Sequence, residues 1–349
     1  MFYESLWIDI FAIGGYDGFV HGGHPYSMLE AVIKGDWCMA IQSPEAVFYY
    51  MPGMRYVRFF EIMIFGDAYP LQVTLLLFTP VIYYRFFKEL LKAKWALIVC
   101  FIMAIGMFNP IGLDFHSHIN SLAMLYGEGF AYACLMGGLV MLLKGINCRS
   151  TGLGCFCLFT IAMCIRPNLL FFVGCLALAY FFFTIFGCAT KKNKFTDLLG
   201  LSPFLLIPLH NIYFGNQWVP LTTASQIPEN MPLTPKMYLD GLTSLFGLIG
   251  PFEWGQKFIH HFSYPGNAGW LALLLIATNA VIAIRYGIKN KIGTLAIAGI
   301  CGLSAHLFYT ADIRYMQPYF VISIGLILGY LTSLNKTLTT TKAWDSGAT

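Results

Sequence analysis

Charge is what this sequence has least of. Only 11% of its 349 residues are Asp, Glu, Lys or Arg, against 58% hydrophobic residues and a mean hydropathy of +0.66. Soluble domains carry about a quarter charged residues, so a water-soluble globular protein is excluded. A net charge of +4 says nothing for a nucleic-acid partner. No polar stretch is long enough to form a separate soluble domain. Metal signatures are missing too. There is no HExxH and no CxxC, the CFC at 155–157 is not a ligand spacing, and the HSH of 116–118 does not set two imidazoles on one helix face. Of the ten cysteines, Cys100, Cys134, Cys155, Cys157, Cys164, Cys175 and Cys301 sit inside apolar runs, where they read as small apolar residues and not as a disulfide framework. The first twenty residues lack a basic region and a clean apolar core, so no cleavable signal peptide is expected.

What the chain does have is apolar stretches. They lie near 69–87, 95–113, 119–143, 152–165 with its flanks, 168–188, 197–214, 268–285, 292–310 and 316–334. A membrane crossing takes about 20 apolar residues, so the sequence predicts an all-α polytopic membrane protein of about nine transmembrane helices. Lys and Arg set the orientation. Arg85, Lys88, Lys92 and Lys94, then Lys144 and Arg149, then Lys191, Lys192 and Lys194, then Arg285, Lys289 and Lys291, then Lys336 and Lys342 fall at every second junction and hold 14 of the 21 basic residues. Those junctions are expected in the cytoplasm. Residues 1–68 then form an extracytoplasmic first loop, 69–335 a helix bundle with a large outer loop near 215–267, and 336–349 a cytoplasmic tail. On this topology 13 of the 17 acidic residues and all eight histidines fall outside or at outer span ends. Acid–base chemistry is therefore expected on the extracytoplasmic face.

The long polar and aromatic stretch is 13–67, IGGYDGFVHGGHPYSMLEAVIKGDWCMAIQSPEAVFYYMPGMRYVRFFEIMIFGD. Proline suits a first helical turn, so one helix is expected from Pro25 to Gly35, with Met28, Leu29, Val32 and Ile33 on its apolar side. A second is expected from Pro52 to about Phe65, with Arg55, Arg58 and Glu61 spaced by three on one face. Elsewhere, Glu128 in LYGEGFAY is the one acid inside a predicted span, and intramembrane ionisable groups point to function. Arg166 in CIRPNLLFF is either a phosphate-binding group or an anchor reaching the headgroups. His210 and Asn211 either line a sugar pocket or are satisfied inside a bundle. Asp312, Arg314 and Tyr315 in YTADIRYMQPYF stand at the mouth of the last span, where Asp312 and Arg314 could equally be a weak pair in water. Asp17 in GGYDG could be an ordinary turn aspartate.

An acid near the N-terminus followed by the order A…GDW…VFYY.PG.RY…E…FGD resembles the first outer loop of the GT-C membrane glycosyltransferases, which include the protein O-mannosyltransferases and the lipid A aminoarabinose transferases. The RPN triplet at 166–168 and the RY..P segment at 314–318 resemble further features of that superfamily. The resemblance implies transfer of a sugar, with inversion, from a polyprenyl-phosphate donor to a glycan, lipid or protein acceptor at the outer membrane face. It makes Asp17 the general base, Arg166 and Arg314 a phosphate clamp, and Arg55 or Arg58 a further donor contact. Two departures stand out. Tyr16 occupies the place of a second acid, and no span precedes residue 17 where the family has its first helix, so further sequence upstream of Met1 is expected. No cofactor is expected; a divalent cation is admissible, since some GT-C relatives use one. The competing classes are a transporter or flippase of lipid-linked glycans, and a polymerase or ligase of such glycans. The expected home is a bacterial inner membrane.

Overall fold

A computed structural model describes residues 15–48, 52–106, 115, 127–145, 151–185, 195–216, 269–288, 290–308 and 313–345. Every regular element among them is helical. α1 (Gly15–Ile33), α2 (Trp37–Gln42) and α3 (Gly53–Phe65) precede α4 (Pro70–Leu90), α5 (Ala93–Ala104), α6 (Glu128–Gly145) and α7 (Thr151–Ile165). A 3₁₀ turn (Pro167–Leu169) leads into α8 (Leu170–Ile185), and a 3₁₀ run (Phe195–Leu205) into α9 (Leu206–Gly215). α10 (Gly269–Tyr286), α11 (Lys291–Phe308) and α12 (Ile313–Asp345) complete the described chain.

Local chemistry sets several boundaries. α3 opens after Pro52 and closes at Gly66, whose φ of 70° favours a residue without Cβ. α1 ends before Gly35, at φ 80°, and Asp36 caps α2 by accepting a 2.9 Å hydrogen bond from the Met39 amide. Other boundaries moved. The helix expected to start at Pro25 begins at Gly15 and holds Pro25 in its interior, because contacts of α1 with α2 and α3 outweigh the local preference of glycine and proline. The stretch 197–214 is 3₁₀ through Leu205, with Pro203 inside that run, and α-helical only beyond it. α12 continues to Asp345, past the expected end near 334.

Three helical segments among the described residues are long and apolar enough to cross a membrane: Thr196–Gly215, Gly269–Tyr286 and Tyr315–Ser333. A fourth arises if α3 and α4, bent by 111° at their junction, count as one broken span. Shorter apolar helices, Ala93–Ala104, Gly152–Ile165, Pro167–Phe182 and Lys291–Leu307, lie in other predicted stretches. Large apolar side chains face outward along many of these helices, with Ile284 84% exposed, Tyr213 77%, Leu77 71% and Trp270 70%. An outward apolar surface of this extent is what lipid contact requires. The shared core is aromatic and aliphatic, with Tyr83, Phe86 and Phe87 of α4, Tyr132 and Leu135 of α6, and Phe156 and Phe159 of α7.

The helices sort their ends. At one end the Lys144 ammonium lies 3.8 Å from Glu89, Lys291 donates to the Leu143 carbonyl at 3.1 Å, and Tyr286 bonds Ser333. At the other end the start of α3 meets the end of α7, and the 42–48 segment meets α9. That second end holds the histidines, arginines and buried carboxylates described below.

α7 and the 3₁₀ run approach closely because Gly200 lies between them. A Cβ there would stand 2.6 Å from the Leu153 carbonyl oxygen and 2.8 Å from the Cys157 amide nitrogen, both backbone atoms that cannot step aside. Gly200→Ala should therefore lower the thermal stability of the detergent-solubilised protein, by about 1–3 kcal/mol. Gly174→Ala, which meets nothing within 4 Å, should be close to neutral. Equal melting midpoints for the two variants would contradict this packing.

Candidate functional site

α3 is amphipathic in the reverse sense to a helix on a soluble protein. Arg55, Arg58 and Glu61 are 0%, 1% and 0% exposed, while Phe60, Ile64 and Phe65 on the other side are 54%, 67% and 49% exposed. The charged face is turned inward, and each charge there needs partners, because burying an unpaired one costs several kcal/mol.

Arg58 and Glu61 satisfy that demand within a closed network. Arg58 donates to Glu61 and Asp67 at 2.9 and 2.8 Å and to the Ala68 carbonyl, and its guanidinium sits 3.6 Å from the Tyr69 ring centre. Glu61 also accepts from the Leu71 amide at 2.9 Å and from Gln72 at 3.3 Å. The Tyr26 hydroxyl donates to Asp67, and burial, reinforced by that bond, pushes its pKa up to about 12. This network fastens the α3–α4 junction to α1. Arg58 and Glu61 are thus committed to one another and to neighbouring backbone.

Arg55 is met less completely. One nitrogen donates to the Ser43 hydroxyl at 3.1 Å, and Nη2 lies 2.9 Å from a Glu45 oxygen. The Phe48 ring lies 5.4 Å away and stacks on His210 at 3.8 Å and 15°. His210 Nε2–H donates to the Gln42 carbonyl at 2.9 Å, and Asn211 Oδ1 accepts from the Phe48 amide at 2.9 Å. His210 and Asn211 therefore tie the 42–48 segment to α9, and through Phe48 they support Arg55. His24 approaches Glu45 at 3.9 Å. Its burial and the neighbouring Arg55 charge lower its pKa to about 4, so the ring is neutral near pH 7 and Arg55 is the real counter-charge of Glu45.

A second group forms where α6, α7, α11 and α12 meet. Glu128, the first residue of α6 and 1% exposed, lies 2.5 Å from Arg166 Nη2. Arg166 also faces the Tyr315 ring at 5.8 Å. Asn168 bridges from the turn after Arg166 to His306 Nε2 at 3.3 Å and to the Tyr315 carbonyl at 3.5 Å, while its own carbonyl accepts from Tyr319 at 3.0 Å. Glu128, Arg166 and Tyr315, far apart in sequence, thus come together. Asn168 and His306 join them. The RPN triplet and the position of His306 near a span end were the only sequence signals for those two.

The two groups adjoin through backbone contact. A Cβ on Gly53 would stand 2.6 Å from the Cys164 carbonyl oxygen, and one on Gly127 would stand 2.5 Å from Ile165 and 3.6 Å from Met54. Residues immediately beside Arg55, Glu128 and Arg166 therefore touch. Beside them opens a groove of about 1030 Å³ between α3, α7 and α9, lined by Phe48, Tyr56, Val57, Ile161, Ile207 and His210 among others, with almost wholly apolar walls.

Asp17 lies in the first turn of α1 and Arg314 in that of α12; their side chains, and Asp312 entirely, lie outside the described residues. Among the described residues no three His, Cys, Asp or Glu side chains converge as a cation site. No family model, curated protein or solved structure matches the chain.

Two measurements test this geometry. Glu61→Leu removes the one fully buried counter-charge of Arg58 and should cost about 3–5 kcal/mol, whereas Asp67→Ala, at a carboxylate 60% exposed, should cost about 1 kcal/mol or less. A smaller loss for Glu61→Leu than for Asp67→Ala would contradict the assignment. For His24, the folded pKa near 4 lies below the ordinary 6.5. Its contribution to stability is therefore complete above pH 6.5 and is lost as pH falls toward 4. Thermal unfolding in detergent across that range should show a decline that flattens in His24→Asn.

Proposed function

We propose that the chain is a membrane glycosyltransferase of the GT-C kind. In this reading nine helices cross the membrane, and a sugar passes from a polyprenyl-phosphate donor to a glycan, lipid or protein acceptor at the extracytoplasmic face of a bacterial inner membrane. The observation that carries it is the pairing of two arginines with buried, incompletely satisfied nitrogens, Arg55 and Arg166, with an apolar groove of about 1030 Å³ lined by their neighbours Gly53, Cys164 and Ile165. A lipid-linked sugar phosphate has that split character: an isoprenoid tail that must stay out of water and a head that needs fixed positive charge. A transporter would need ionisable groups along the route between the two ends. Apart from Asp197 beside the start of α7, the buried charges among the described residues gather at the end opposite Lys144 and Lys291, which favours surface chemistry over transport.

The chemistry follows from those roles. Asp17 takes the proton from an acceptor hydroxyl as its oxygen bonds to the sugar C1, and the C1–O bond to the phosphate breaks with inversion. The leaving lipid phosphate carries the electron pair away, and its charge is stabilised by Arg166, with Arg55 and Arg314 as further contacts. Positive charge already in place helps a leaving phosphate more than an acid would.

Asp17→Asn should lower transfer from polyprenyl-phosphate sugars by about 10²–10⁴-fold, while the purified protein keeps its melting midpoint and its monodisperse elution. Transfer at the unmodified rate by that variant would refute the base assignment.

A further inference from the structure

The guanidinium groups of Arg55 and Arg166 share a feature that Arg58 lacks. Among the described residues, Nε of both makes no hydrogen bond, and Nη2 of each stands close to one carboxylate oxygen without a well-aligned bond. Those two nitrogens form one edge of the planar fork, the edge that takes a carboxylate or phosphate by two parallel bonds. In each case a carboxylate stands beside Nη2 without completing that geometry, Glu45 at 2.9 Å and Glu128 at 2.5 Å. Charge is balanced, but the directed bonds are unmade. Buried donors left in this state cost about 1–3 kcal/mol each, and a native protein that tolerates them repeatedly calls for an explanation. Arg58, on the same helix face as Arg55, has directed bonds to Glu61, Asp67 and Ala68. The helix can satisfy an arginine fully, and does so at one position only.

We propose that Glu45 and Glu128 are carboxylate place-holders: they neutralise the two arginine forks in the empty protein and give them up to a phosphate-bearing lipid headgroup. This rests on the reading of the donor as a lipid phosphate. The phosphate takes the Nε–Nη2 edges with full hydrogen bonds and displaces each carboxylate. Glu45, 14% exposed, turns toward water, and Glu128, the first residue of α6, stays favoured by the helix N-terminus. The glutamates act as positioning residues that set affinity and exclude neutral lipids.

The test is titration of the full-length, detergent-solubilised protein with farnesyl phosphate, inorganic phosphate and farnesol, for the unmodified chain and for Glu45→Gln, Glu128→Gln and Asp67→Asn. Each glutamate variant should bind farnesyl phosphate about tenfold more tightly, because a competing like charge is gone. Asp67→Asn, whose partner Arg58 is already fully bonded, should not change. Tightening toward inorganic phosphate as well supports the same exchange and shows that the head alone drives it. Unchanged or weaker farnesyl phosphate binding in the glutamate variants overturns the proposal, as does equal tightening toward farnesol. Should Glu128→Gln fail to fold, Glu45→Gln, at the more exposed carboxylate, decides alone. The outcome is separable from the enzymatic reading: sugar transfer without tightening defeats only the place-holder role, and tightening without transfer defeats only the transferase.

Discussion

An arginine buried in an apolar bundle must be given a counter-charge or a ligand, and three arginines at one end of this molecule impose that condition. Arg58 meets it with two carboxylates, a backbone carbonyl and the face of Tyr69. Arg55 and Arg166 meet it with one carboxylate each and no hydrogen bond from Nε among the described residues. Their neighbours are arranged to hold these charges. α3 turns its polar face inward, the 42–48 segment is pinned to α9 through His210 and Asn211, and the α6–α7 contact places Glu128 against Arg166.

The same constraint links stability to function. A fully bonded arginine is a fastening, and the Arg58 network lies where the chain turns from α3 into α4. An arginine with an open edge carries a cost in stability, which on the proposed reading a ligand recovers. On the proposed reading, two of these near an apolar groove divide the site into a part for a charged head and a part for a hydrocarbon tail. The outward apolar faces of α3, α4, α9 and α10 present the surface that lipid contact requires.

Local rules in the sequence revealed much of this, and long-range pairing did not. Pro52 marked the start of α3, its end near Phe65 was expected, and the spacing of Arg55, Arg58 and Glu61 put them on one face. Which way that face turned was not legible, because an interfacial helix and a soluble one share the same periodicity. The described parts of the apolar stretches are helical, although only three segments among the described residues reach spanning length and hydropathy together. Glu128 and Arg166 stood out because an ionised group is costly in apolar surroundings. Their pairing did not, since nothing in either neighbourhood specifies the partner. Asn168 and His306, 138 positions apart, and Phe48 and Asn211, 163 apart, meet only through the packing of whole helices. α1 shows the opposite failure. The strong local punctuation of Pro25 misplaced its start by ten residues, because tertiary contact overrode it.

The central claim is that the two ends of this bundle face different compartments, with the arginine–carboxylate end outside. It is tested most directly by placing single cysteines in an otherwise cysteine-free chain, at Lys34, which is 68% exposed, and at Lys144, 43% exposed at the opposite end. A membrane-impermeant maleimide applied to intact cells should label Lys34→Cys at once and Lys144→Cys only after the membrane is permeabilised. Labelling of Lys144→Cys in intact cells, with Lys34→Cys protected, would contradict the account.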